Sequence, residues 1–146
     1  MRRTDIPLSP KGKALAEKLA RSGRYKAGSS CRFFTSGMKR TDETLSILFG
    51  NVKFEVLPEL REMDFGEFEM LSYEELKDRK DYQIWISGDN FRNKCPGGES
   101  AEEMTERAIR AADLIFRNEY AAAVTHGGII AAVMAHFFPH ENKNRY

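Results

Sequence analysis

Residues 121–135, AAAVTHGGIIAAVMA, restrict the fold more than any other stretch of the chain. Residues 121–124 are a short, unbroken apolar run. Such runs suit a strand covered on both faces, in a parallel sheet with helices on either side. Gly127 and Gly128 carry no Cβ, so the backbone can turn sharply and a ligand can come close. Residues 129–138 then read as an apolar helix. Its first amides lack partners within the helix and, with the helix dipole, form an anion site facing the turn. His126 stands at that bend, at the carboxyl end of a strand, where ligands of open α/β sheets gather. It is placed to bind, donate to or attack an anionic group. The plainer alternative is a core histidine satisfied by a backbone carbonyl.

A chain of 146 residues is one domain's worth. Its net charge of +1 creates no global field for nucleic acid or an anionic membrane, although a local basic pocket remains compatible. Cys31 and Cys95 are far apart and match no metal spacing. Cys31 lies in an apolar run and reads as a small buried hydrophobe, and reduced thiols in a cytoplasmic protein account for both. The amino-terminal Met-Arg-Arg is followed by polar residues, unlike a signal peptide. Residues 121–138 contain Thr125, His126 and two glycines and read as strand, turn and helix, not as a membrane span.

Ser9-Pro10 opens a first helix as cap and first residue, Leu15, Ala16 and Leu19 give it an apolar stripe, and Ser22-Gly23 ends it. Residues 31–35 form a strand, Ser36-Gly37 a turn, and residues 38–49 a helix with Thr41, Leu45, Leu48 and Phe49 on one face. Arg40 falls in the first turn of that helix, where a cation opposes the dipole. An anion shared between its guanidinium and the helix amides would relieve the conflict, as would an exposed pairing with Asp42 or Glu43. Residues 51–57 alternate as a strand with one solvated face. Residues 58–69 interleave acids and large apolar groups without period. Burial of one carboxyl there would make a general acid, but five acids compete and spacing does not choose among them. Ser72 with Glu75, and Ser100 with Glu103, are capping boxes. They open helices over residues 72–80 and from Ser100 to about Asn118, the second with Ala101, Met104, Ala108, Ala111 and Ile115 inside. Residues 81–87 form a short helix carrying Trp85, and residues 88–98 a loop. His136 and His140 have i,i+4 spacing, but Pro139 ends the helix between them, so no metal site is expected.

Five segments together resemble the histidine phosphatase superfamily, which contains the cofactor-dependent phosphoglycerate mutases. They are TDIPLS with Gly12, residues 36–44, residues 60–66, PGGES at 96–100 and THGG at 125–128. The third and fourth look most like the α-ribazole phosphatase and broad-specificity phosphatase branch. The resemblance implies an α/β fold of three layers with a mostly parallel sheet, in a single incomplete domain over residues 1–146. It implies that Arg40 binds phosphate and that His126, helped by Gly127, binds the phosphoryl group without being the nucleophile. It also selects Glu62 as the general acid. No metal and no other cofactor is implied. Gly37 and Thr41 stand where the family usually has Pro and Ala, and FEM at 68–70 where Trp-Glu-Gly is usual.

The chief departure is that Arg-His-Gly, whose histidine becomes phosphohistidine in the family, occurs nowhere in these residues. The chain starts a little after the point where that central strand should end, and stops at Tyr146, short of the usual close of the domain. The expectation is therefore a phosphate monoester hydrolase fold with little activity alone. Its ligand would be a small phosphorylated substrate or inorganic phosphate, with neither nucleic acid nor membrane as partner. The alternatives are a phosphate-binding or protein-interaction module without catalysis, and a phosphoglycerate mutase. An absent strand leaves an apolar slot and unpaired backbone, which invites association, a homodimer included.

Overall fold

The computed structural model describes residues 4–89 and 91–139. They fall into two compact units: one takes in Asp5–Arg61 and Arg110–His126, the other Thr4, Glu62–Ile109 and the described residues from Gly127 onward.

The first unit is built on three parallel strands in the order β2-β1-β3, where β1 is Arg32–Thr35, β2 Phe54–Val56 and β3 Ala121–Val124. Thr35 pairs with Val56 on one side and Val124 on the other, so the three carboxyl ends lie level. Helix α1 (Pro10–Arg21) starts as expected, with the Ser9 hydroxyl accepting from Gly12 N. It packs on helix α2 (Lys39–Phe49). Ala16 is its buried residue, whereas Leu15 is 57% exposed and does not belong to the expected stripe. Leu45 and Thr41 are the buried positions of α2, and Phe33 of β1 stacks on Phe49 with ring centres 5.0 Å apart. This ring pair and the Leu45 side chain give the sheet its apolar seal.

Both edge strands depart from expectation. The strand expected over 51–57 is only three residues long, and none of its side chains is buried; Phe54 is 39% and Val56 47% exposed. Phe54 lines an open cleft of about 980 Å³ at the amino ends of the strands, together with Tyr25, Lys26, Arg32, Phe49 and Lys53. Ala121 and Ala123 of β3 are exposed, so that strand is not covered on both faces. Its only strand partner among the described residues is β1. Cys31 is half-buried rather than buried and lines the same cleft.

The second unit begins with the irregular acid-rich stretch from Glu62 and continues through helices α3 (Tyr73–Leu76), α4 (Lys80–Ser87) and the start of α5 (Ala101–Phe116) to α6 (Gly127–Phe137). The expected helix over 72–80 is a single turn, broken before α4 begins. Both capping boxes form: Ser72 and Glu75 exchange bonds, and so do Ser100 and Glu103. Trp85 joins Phe65, Phe68 and Tyr82 in one aromatic cluster with ring centres 5.5 to 6.0 Å apart. Arg79 lies 5.4 Å over the Phe68 ring and binds Asp81. Among the described residues no helix is long and apolar enough to cross a membrane. His140 lies outside the described residues.

Three carboxyls in this unit sit below their usual pKa. A backbone bond from Ser72 lowers Glu75, the Arg79 side chain lowers Asp81, and the Lys94 side chain lowers Glu103. A carboxyl depressed in the folded state stabilises fully above its unfolded pKa and loses that contribution as pH falls through the folded value. Stability measured by urea unfolding should therefore be flat near neutrality and decline below the ordinary carboxylate range, about pH 4. A midpoint unchanged between pH 7 and pH 3 would contradict this.

Candidate functional site

His126 is held at the end of β3 by its neighbours in sequence and space. The preceding Thr125 donates to Leu60 O at 2.8 Å. Leu57 N donates to Thr35 O and Arg61 Nε to Ser36 O. The segment leading to Arg61 is thus fastened across the carboxyl ends of β1 and β3. His126 itself is 8% exposed, and its Nε2 lies 2.9 Å from Ser36 Oγ. Ser36 is fully buried. Its hydroxyl also meets Thr41 Oγ1 at 3.0 Å and accepts from Met38 N. The Thr41 hydroxyl donates to Met38 O at 2.7 Å. The imidazole is therefore wired through Ser36 into the first turn of α2, the turn that carries Arg40.

Gly37 and Thr41, two of the departures from the family pattern, gain a local reason here. Gly37 has a φ of +73°, which proline cannot adopt. A Cβ there would also lie 2.5 Å from Val56 Cγ1. Thr41 supplies the hydroxyl that completes the Ser36 network, which alanine could not. Arg40 is half-buried at the second position of α2. The first amide of that helix is taken by the Asp5 carboxylate, with Lys39 N to Oδ1 at 2.7 Å. An acid of this chain therefore already answers part of the dipole conflict posed by Arg40.

Glu62 and Gly127 belong to the second unit. The Glu62 carboxylate accepts from Met63 N at 3.0 Å and makes a long contact of 3.4 Å with Gly128 N. Helix α6 starts at Gly127, two residues earlier than the sequence suggested. The glycines thus open the helix and do not form a turn ahead of it, and neither has a positive φ. A Cβ on Gly128 would stand 2.5 Å from Glu62 Oε1, the end of a flexible side chain that would have to swing aside. A Cβ on Gly127 would meet nothing within 4 Å. Arg107 and Glu99 complete the surroundings of Glu62. Arg107 Nη2 donates to Glu62 O at 3.2 Å and to Glu99 Oε1 at 2.5 Å, while its Nε reaches Glu99 Oε2 at 3.0 Å.

Of the residues singled out from sequence, Arg40 and His126 share one unit and are joined by Ser36 and Thr41. Glu62 and Gly127 lie in the other unit. Ser36, Gly128, Glu99 and Arg107 are additions. Ser36 was legible as part of a turn only, and Glu99 and Arg107 sit on two segments that sequence spacing does not connect. No group of three or more potential metal ligands occurs among the described residues.

The comparisons with known proteins agree on the family. The family model described as histidine phosphatase superfamily (branch 1) matches residues 1–145. A 6-phosphofructo-2-kinase/fructose-2,6-bisphosphatase of Gallus gallus is 31% identical over 134 residues, covering 91% of this chain and 28% of that protein. The chain thus spans little more than a quarter of the curated relatives it matches. An alpha-ribazole phosphatase from Shigella flexneri superposes with a TM-score of 0.78 at 22% identity, over 92% of this chain and 69% of that one. A phosphoglycerate mutase from Thermus thermophilus superposes with a TM-score of 0.69 at 30% identity, over 92% and 71%. The parallel α/β sheet is the one these neighbours share. With the family model running along nearly its whole length, the chain belongs to branch 1 of the histidine phosphatase superfamily.

Proposed function

We propose that the chain carries the phosphate-handling part of a phosphate monoester hydrolase of the histidine phosphatase type. The observation supporting this reading is the path from buried His126 through Ser36 to Thr41, which fixes the imidazole against the turn bearing Arg40. In this reading Arg40 offers its planar fork to phosphoryl oxygens. His126 donates to the same group and is not the nucleophile. The Gly127 amide adds a backbone donor at a helix start. Glu62 protonates the leaving oxygen. The curated relative named above includes a bisphosphatase in its name, which favours hydrolysis; the phosphoglycerate mutase keeps transfer as the alternative within the family.

These residues contain no Arg-His-Gly, so covalent catalysis through that histidine has no first step within them. Alone, the chain is expected to bind inorganic phosphate or a small phosphorylated compound and to turn it over weakly or not at all. The second reading is a binding module without chemistry. The exposed edge of β3 offers a surface for a homodimer.

Calorimetric titration with phosphate or vanadate tests the site. Arg40→Ala should weaken binding by about 10- to 100-fold, the loss of one charge-assisted contact. Affinity indifferent to that change would leave no phosphate pocket at Arg40.

A further inference from the structure

The Glu99–Arg107 ion pair is among the best-formed polar interactions in the second unit, and the reading above gives it no task. Both side chains are largely withdrawn from water, Arg107 13% and Glu99 14% exposed. Their contact is bidentate, with bonds of 2.5 and 3.0 Å. A buried pair of this kind is weak evidence for stability, because desolvation offsets much of the attraction. What it does well is fix geometry, since the guanidinium fork and the carboxylate have one mutual orientation.

The remaining hydrogen bonds of the pair converge on one short stretch of backbone. Arg107 Nη2 donates to the carbonyl of Glu62 at 3.2 Å. Glu99 Oε1 accepts from the amide of Asp64 at 2.8 Å, and Glu99 N donates to Asp64 O at 3.0 Å. The backbone is therefore gripped at residue 62 and at residue 64, from both members of one ion pair. The Glu62 side chain accepts in turn from Met63 N at 3.0 Å and lies 3.4 Å from Gly128 N.

We propose that Glu99 and Arg107 are positioning residues for Glu62, a rigid clamp that sets where its carboxyl points. The proposal rests on the assignment of Glu62 as the proton donor, and it concerns aim and not binding. A positioned acid must stay within a few tenths of an ångström of its target to be effective, which a flexible acid-rich loop cannot ensure unaided.

The test reads Glu62 directly by NMR on the full chain. In the wild type, Arg107 Nε–H should exchange slowly with water and resolve as a distinct resonance. A freely exchanging Arg107 Nε–H would overturn the clamp before any variant is made. Arg107→Lys keeps the charge and removes the fork. It should shift the Glu62 side-chain carboxyl carbon and the Gly128 amide well beyond the scatter of resonances elsewhere in the chain. Resonances of α1 and α2 should stay in place. Glu99→Gln, which keeps the shape and removes the charge, should move the same signals in a folded protein. Folded variants in which Glu62 and Gly128 do not respond would refute the proposal. Turnover is not a readout, so a chain that proves to be no phosphatase leaves this result standing on its own.

Discussion

Gly66→Ala should destabilise the protein by about 3–5 kcal/mol, enough to approach the whole stability of many domains of this size. Gly66 has a φ of +49°, a left-handed conformation that an L-residue adopts at a cost of about 1–2 kcal/mol. Steric overlap costs more than the backbone conformation does. An added Cβ would stand 2.1 Å from Pro96 O and 2.5 Å from Gly98 N. These are backbone atoms, which cannot rotate aside as a side chain would. Pro96 O is also the acceptor for Glu67 N at 2.8 Å, so separating the two loop segments would break that bond, worth about a further 0.5–1.5 kcal/mol. Urea unfolding gives the measurement. Gly127→Ala, where an added Cβ meets nothing, should stay within about 0.5 kcal/mol of wild type and serves as the control. A loss below about 1 kcal/mol at Gly66 would mean that the loops part easily and are not packed as described.

Supplying an upstream strand ending in Arg-His-Gly should raise hydrolysis of p-nitrophenyl phosphate by at least about 10³-fold over the chain alone. That is a conservative figure for restoring a nucleophile, whose removal from other covalent catalysts costs more. The restored protein should also form an acid-labile phosphoryl adduct on the added histidine, and none on His126, whose Nε2 is engaged by Ser36. The outcome separates the two functional readings, because a binding module would hold phosphate equally well before and after and remain inert. Inertness of the restored protein would sink the hydrolase reading itself.

How far the sequence reveals this molecule depends on whether the deciding contact is local. The Ser9 cap and the two capping boxes follow from spacings of a few residues, and each forms as read. The exposure of Ala121, Ala123, Phe54 and Val56 does not, because apolar composition says what a strand could bury and not whether a neighbour arrives to cover it. The glycines after His126 read from sequence as a sharp turn, and they open the helix instead. What Gly128 leaves room for is a carboxylate 66 residues earlier in the chain, and its backbone conformation is ordinary. Ser36 is a similar case: its role depends on a partner 90 residues away. Glu62 could be picked out of five nearby acids only by family resemblance, since no spacing rule marks the one gripped by a distant ion pair.

The uncovered side of β3 has a practical corollary. A row of backbone donors and acceptors set among small alanine side chains offers little steric or electrostatic resistance to another extended peptide. Charged residues at such a rim normally discourage unwanted pairing, and Ala121, Ala122, Ala123 and Val124 supply none. Among the described residues β3 has no strand partner other than β1, and a lysine substituted at Ala121 or Ala123 is the natural way to keep such a rim from pairing with another copy.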